Sequence, residues 1–186
     1  RLMAVRGRPW QRFGVAASLV LLGALAGWFG RDYAVRPVVQ AAQGLPLARQ
    51  AALAHAVFTP EVRHPVEVAA DQEDHLVKWL SKKLGTELTC PKLGPLGYEL
   101  VGGRLLSGPN GPVAHFMFQD ARGTRLTLYV STLRGDSRET AFRFSQEDKV
   151  AVFYWLDGKY GYALSGEVGR EALLNVANVV YKQLNP

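Results

Sequence analysis

Val113-Ala114-His115-Phe116-Met117-Phe118-Gln119, then Asp120-Ala121-Arg122-Gly123, then Thr124-Arg125-Leu126-Thr127-Leu128-Tyr129-Val130-Ser131-Thr132, is the stretch that decides the fold. Its side chains repeat every two residues. Ala114, Phe116 and Phe118 alternate with His115, Met117 and Gln119, and Leu126, Leu128 and Val130 share one side of the second run. A period of two is the spacing at which a strand presents one face. The four residues between the runs carry turn chemistry. Both runs are predicted as strands. Before them, Tyr98, Leu100 and Arg104-Leu105-Leu106 read as a strand ending in the turn Gly108-Pro109-Asn110-Gly111. After them, 139–146, 149–156 and 160–164 read as three more, with Asp157-Gly158 as the hairpin turn between the last two.

The period lengthens to nearly four on either side of this meander. Leu76, Val77, Trp79, Leu80 and Leu84 form one apolar stripe, with Asp71 placed to cap it, Glu73 and Asp74 in its first turn and Gly85 at its end. A C-terminal helix is predicted from Arg170 to Leu184 on the stripe Leu173, Leu174, Val176, Ala177, Val180 and Leu184. A shorter, alanine-rich helix is predicted over 46–58, stopped by Thr59-Pro60. Helices, then about six strands, then a helix is an α+β pattern, with the helices expected on one face of an antiparallel sheet.

Further toward the N-terminus, Phe13 to Gly30 is a run of 18 residues without a charge, Ser18 its one clearly polar member. As a helix it spans about 27 Å, close to the thickness of a bilayer core. Arg12 and Arg31 bracket it, and Trp10, Trp28 and Tyr33 sit where interfacial aromatics belong. The run is expected to be a single transmembrane helix, with a buried core helix or a cleaved signal peptide as its competitors. Arg1, Arg6, Arg8 and Arg12 precede it without an acid, which places the N-terminus in the cytoplasm and the rest outside. The chain begins with Arg, so it is expected to be part of something longer. Gly23 and Gly27 form a small-xxx-small pair suited to helix packing in the membrane.

The charge locates the partners. The net +6 divides into +5 over residues 1–36, beside the bilayer, and +1 over the other 150. The outer domain therefore offers no basic patch for nucleic acid. Cys90 is the single cysteine, which excludes an internal disulfide and suits a small apolar filler. His55, His64, His75 and His115 are spread over three elements. Asp71 and His75, four apart on one helical face, are spaced to share a metal, but no cysteine pair supports a zinc site, and none is assigned. No phosphate loop, nucleophile elbow or marked Cys-His pairing is present, so no catalytic residue and no cofactor is assigned. Phe153, Tyr154, Trp155, Tyr160 and Tyr162 either line a ligand groove or form sheet core and cross-strand pairs.

A resemblance runs through much of the chain. His64-Pro65-Val66-Glu67-Val68, the segment His75 to Gly85, Gly97-Tyr98-Glu99-Leu100-Val101-Gly102-Gly103-Arg104-Leu105-Leu106, Arg125 to Tyr129, Phe153-Tyr154-Trp155 and Gly161 to Gly166 resemble the outer domain of proteobacterial membrane-anchored anti-sigma factors. The resemblance covers 13–184 as many short matches. It implies a non-enzymatic, single-pass inner-membrane regulator. Residues 1–12 would be a cytoplasmic basic flank, 13–30 the transmembrane helix, 31–56 a tether with a short helix and 57–186 a periplasmic sensor domain. The sigma factor would be held by a cytoplasmic domain outside this chain, and a periplasmic regulator or protease would release it. The rival classes are a membrane-tethered periplasmic binding module for a lipid, peptide or partner protein, and a tethered enzyme.

Overall fold

A computed structural model describes residues 46–137 and 141–184. Pro46 precedes helix α1 (Leu47–Phe58), which Thr59 closes. The two-residue strand β1 (Val68–Ala69) and a 3-10 turn lead into helix α2 (Glu73–Leu84), ended by Gly85 in the left-handed conformation. Asp71 lies in that 3-10 turn and makes no capping hydrogen bond. The cap position belongs to Gln72.

Then come β2 (Tyr98–Gly108), β3 (Gly111–Asp120), β4 (Arg125–Ser137), β5 (Arg143–Glu147), β6 (Val150–Gly166) and helix α3 (Arg170–Leu184). The strands form one antiparallel sheet in the order β1-β2-β3-β4-β6-β5. All these elements belong to a compact unit, Leu45–Pro186.

The α+β class and the six-stranded antiparallel sheet agree with the sequence, but the six strands differ in two places. The predicted hairpin at Asp157-Gly158 is absent, because 149–156 and 160–164 join into the one long strand β6. Its first part pairs with β5 and its second with β4. Gly158 has φ +56, and the local irregularity reverses the alternation. Phe153 and Trp155 therefore share a face with Tyr162 and Leu164. The sixth strand is instead β1, which pairs with β2 at Gly102 and Gly103.

The helices also do not share one face. On the first face, α2 and α3 bury Leu76, Leu80, Leu84, Leu173, Val176 and Val180 against Phe116, Phe118, Leu126, Leu128, Phe153 and Trp155. Trp79 packs against this core but is only half-buried. On the second face, α1 lays Ala48, Ala51 and Ala52 on Val113, Tyr129, Val152 and Ala163. The boundary expected between 56 and 57 therefore cuts through a helix that is part of the sheet unit. Alanine's small side chain lets a helix lie close to a sheet, and that is why a weak apolar stripe suffices.

The apolar run Phe13–Gly30, with Gly23 and Gly27, and the tether Asp32–Gly44 lie outside the described residues. Among the described residues, no helix is long and apolar enough to cross a membrane.

Candidate functional site

A buried polar cluster lies on the second face, beneath the C-terminal half of α1. A bulge builds it. Leu100 pairs with Phe118, but Gly102, not Val101, pairs with the next residue, Met117. The extra residue reverses the alternation of β2. Arg104 is thereby turned to the second face, directly opposite His115 of β3, which is opposite Tyr129 of β4. Without the bulge Arg104 would share the apolar first face with Leu100.

Helix α1 closes over this row. His55, 1 % exposed, makes a 2.9 Å hydrogen bond between its Nδ1 and Thr127 Oγ1 of β4. One turn on, Phe58 lies under the Arg104 guanidinium, 3.8 Å from ring centroid to Cζ, and 5.8 Å from the His115 ring. Tyr129 donates its hydroxyl to Gln50 Oε1 at the other end of α1. Arg104 Nη2 donates to the His64 carbonyl at 2.7 Å, while its Nε has no partner. His115, also 1 % exposed, has no partner on either ring nitrogen.

Burial governs the electrostatics. It pushes the His115 imidazole down to about 3, with Arg104 and then His55 adding repulsion in the same direction. It pushes His55 down to about 4. His55 stands in the last turn of α1, where the helix dipole favours a cation by about 0.3–1 kcal/mol. A depression to about 4 shows that desolvation outweighs it. Both imidazoles are therefore neutral at pH 7. Arg104 is also depressed by burial but stays charged, because a guanidinium keeps its proton in proteins.

Two concavities flank the cluster. One, of about 210 Å³, is lined by His55, Thr59, Thr124, Arg125 and Glu167. The other, of about 490 Å³, runs between α1 and the β5–β6 turn, with Leu53 and Ala56 on one wall and Gln146 and Lys149 on the other.

The residues singled out in the sequence fall elsewhere. Asp71 and His75 are exposed at the start of α2, and among the described residues no group of three metal-ligating side chains forms. Cys90 is buried, and its thiol is pushed up to about 12, which leaves it unreactive. Phe142, Phe153, Trp155, Tyr162 and Tyr181 pack ring against ring on the first face, with Trp155 stacked on Tyr162 at 5.2 Å. Of the five aromatics read as groove or core, Phe153, Trp155 and Tyr162 belong to the first-face core, Tyr154 packs on the second face, and Tyr160 stands opposite Thr132 of β4. The cluster around His115 was missed, although a histidine between Ala114 and Phe116 on a strand apolar on both sides was the signal.

Comparisons with protein-family models, curated proteins and solved structures find no match to the chain.

Two substitutions separate the histidines. Thr127→Val keeps the shape but leaves a buried imidazole nitrogen without its partner, at a cost of about 1–3 kcal/mol. His115→Leu removes two nitrogens that already lack partners and is expected to leave the melting temperature at pH 7 unchanged or raised. Thermal denaturation of both variants checks the contrast, and equal losses would show that His115 is satisfied in solution.

Proposed function

We propose that the chain is the signal-sensing half of a single-pass inner-membrane anti-sigma factor. It restrains an extracytoplasmic-function sigma factor through a cytoplasmic domain outside this chain. The carrying observation is the apolar run Phe13–Gly30 followed by the short segments that resemble the outer domain of that family. These segments supply most of α2 and β2, the first part of β4 and stretches of both parts of β6. They are framework segments of one domain.

The topology is directly testable. Alkaline phosphatase fused after Pro186 is expected to be active, because it folds only outside the cytoplasm. Leu21→Arg is expected to impair insertion, since an arginine at mid-membrane costs about 2.5–3.5 kcal/mol. Activity of a cytoplasmic reporter alone at that position would reverse the orientation.

Release runs through cleavage in the tether Asp32–Gly44, followed by cleavage in the span. The tether is poor in bulky apolar side chains and contains Pro37. Gly23 and Gly27 weaken the span where a protease must unwind it. Replacing both by Leu is expected to slow the second cut and leave the first unchanged, read from fragment sizes under envelope stress. Promoter activation with the full-length protein intact would rule out proteolysis as the route.

A further inference from the structure

We propose that α1 is an acid-released latch: protonation of His55 and His115 lifts Leu47–Phe58 from the second face of the sheet while the first face stays packed. The proposal stands on the sheet unit alone and holds whatever the chain regulates.

The two faces are held differently. The first face is closed by large apolar side chains from two helices. Helix α1 contributes the small Ala48, Ala51 and Ala52, with Leu47 and Phe58 only partly buried at its two ends, so its attachment leans on polar contacts as well. Those contacts are His55 to Thr127 and Gln50 to Tyr129. Leu53 and Val57, on its outer side, are exposed.

A proton on this face meets no compensating charge. His115 is faced by Arg104 from β2, Tyr129 from β4 and His55 from α1. Arg104 is a cation, and a protonated His115 beside it is a like-charge pair in a desolvated site. The acids nearest Arg104 are Glu61 and Glu67. Glu61 Oε1 accepts the amides of Arg63 and His64, and Glu67 Oε2 accepts the amide of Leu105. The His64 ring is exposed. His55 is faced by Arg125 and Glu167 across the smaller cleft. Glu167 is exposed and forms no ion pair with His55, and Arg125 is spent on the carbonyls of Thr59 and Glu61.

The direction follows from proton counts. With α1 closed, the imidazoles resist protonation down to about 4 and about 3. With α1 lifted they are hydrated and take protons near 6.5. The open form therefore binds more protons between these limits, and acid favours it. Closure is complete above pH 6.5 and weakens as the pH falls toward 4. From His55 alone, the opening equilibrium is expected to rise by roughly 10- to 100-fold between pH 7.5 and 4.5.

Amide hydrogen exchange of the full chain in mild detergent, corrected for intrinsic rates and resolved by segment, is the test. Protection over 48–58 is expected to fall roughly tenfold or more between pH 7.5 and 4.5, while 114–118 and 126–130 keep theirs. The double variant His55→Gln/His115→Leu is expected to show no pH response in α1. Unchanged α1 protection, simultaneous loss in the central strands, or a response that persists in the double variant overturns the proposal. Should that variant fail to fold, NMR titration of the wild-type imidazoles decides. Protonation that coincides with loss of α1 protection supports the latch, and titration near 6.5 with α1 still protected overturns it. None of these outcomes bears on membrane topology or sigma-factor control, which the reporter fusions test separately.

Discussion

Trp155→Ala is expected to lower the stability of the sheet unit by about 3–5 kcal/mol. Trp155 is fully buried in the first-face core. Phe142 meets it edge-on at 5.2 Å, Tyr181 edge-on at 5.8 Å, and Tyr162 stacks on it. These neighbours come from three elements besides its own strand position: the chain before β5, the far part of β6 and α3. None of them can collapse into the space without leaving its own contacts, so most of the cavity remains. Small domains have total stabilities of about 5–15 kcal/mol, so the loss is a large share. At about 3–5 °C per kcal/mol for a unit of this size, the melting temperature drops by roughly 10–20 °C. Trp155→Phe is expected to cost far less, because it keeps a ring in the stack and removes an indole N–H that has no acceptor. Trp79→Ala is also expected to cost less, since Trp79 is half-buried at the margin of the same core. A drop below about 3 °C for Trp155→Ala would show that the aromatic cluster is not packed as described.

What the sequence revealed and what it hid have separable causes. Helix α2 was legible because its signals are local: acids in the first turn, a stripe of Leu76, Leu80 and Leu84, and Gly85 where the chain must turn left-handed. Helix α3 was legible from Arg170 to Leu184 for the same reason. Strands β3 and β4 were legible because each has a period of two. Helix α1 was visible as a helix, but its attachment was not. A face of three alanines and a histidine looks too weak to belong to a core until the second face of the sheet is known. Asp157-Gly158 misled because the same pair that makes a hairpin also makes an irregularity inside a strand. Only the pairing of β6 with β5 and then β4 distinguishes the two. The polar cluster was hidden most deeply. Arg104, His115 and His55 come from three elements, and the bulge at Gly102 determines that Arg104 joins them.

Gly102→Ala is accordingly expected to do damage out of proportion to one methyl group. Gly102 has φ +145, a conformation that costs a non-glycine residue about 1–3 kcal/mol. Space is the second obstacle. A Cβ there would lie 2.1 Å from the Val68 carbonyl oxygen, 2.9 Å from Ala69 Cα and 2.9 Å from Val66 Cγ2. Two of these are backbone atoms of β1, so the strand must leave β2. With it go the pairing of Val68 with Gly103 and Ala69 with Gly102, and the bond from the Glu67 amide to the Gly103 carbonyl. The His64 carbonyl that takes Arg104 Nη2 lies just before this segment. Losing it would leave a buried guanidinium with its hydrogen bonding further depleted. With roughly 1 kcal/mol for each lost hydrogen bond, the sum is about 3–5 kcal/mol. Gly123→Ala is the control. Its φ of +86 also disfavours a side chain, but a Cβ there meets nothing within 4 Å, so it should show only the conformational cost. Thermal denaturation of the two variants separates strain from collision. A Gly102→Ala protein no less stable than Gly123→Ala would mean that β1 is not seated on β2 in solution. The bulge would then have to be held by something other than the strand beside it.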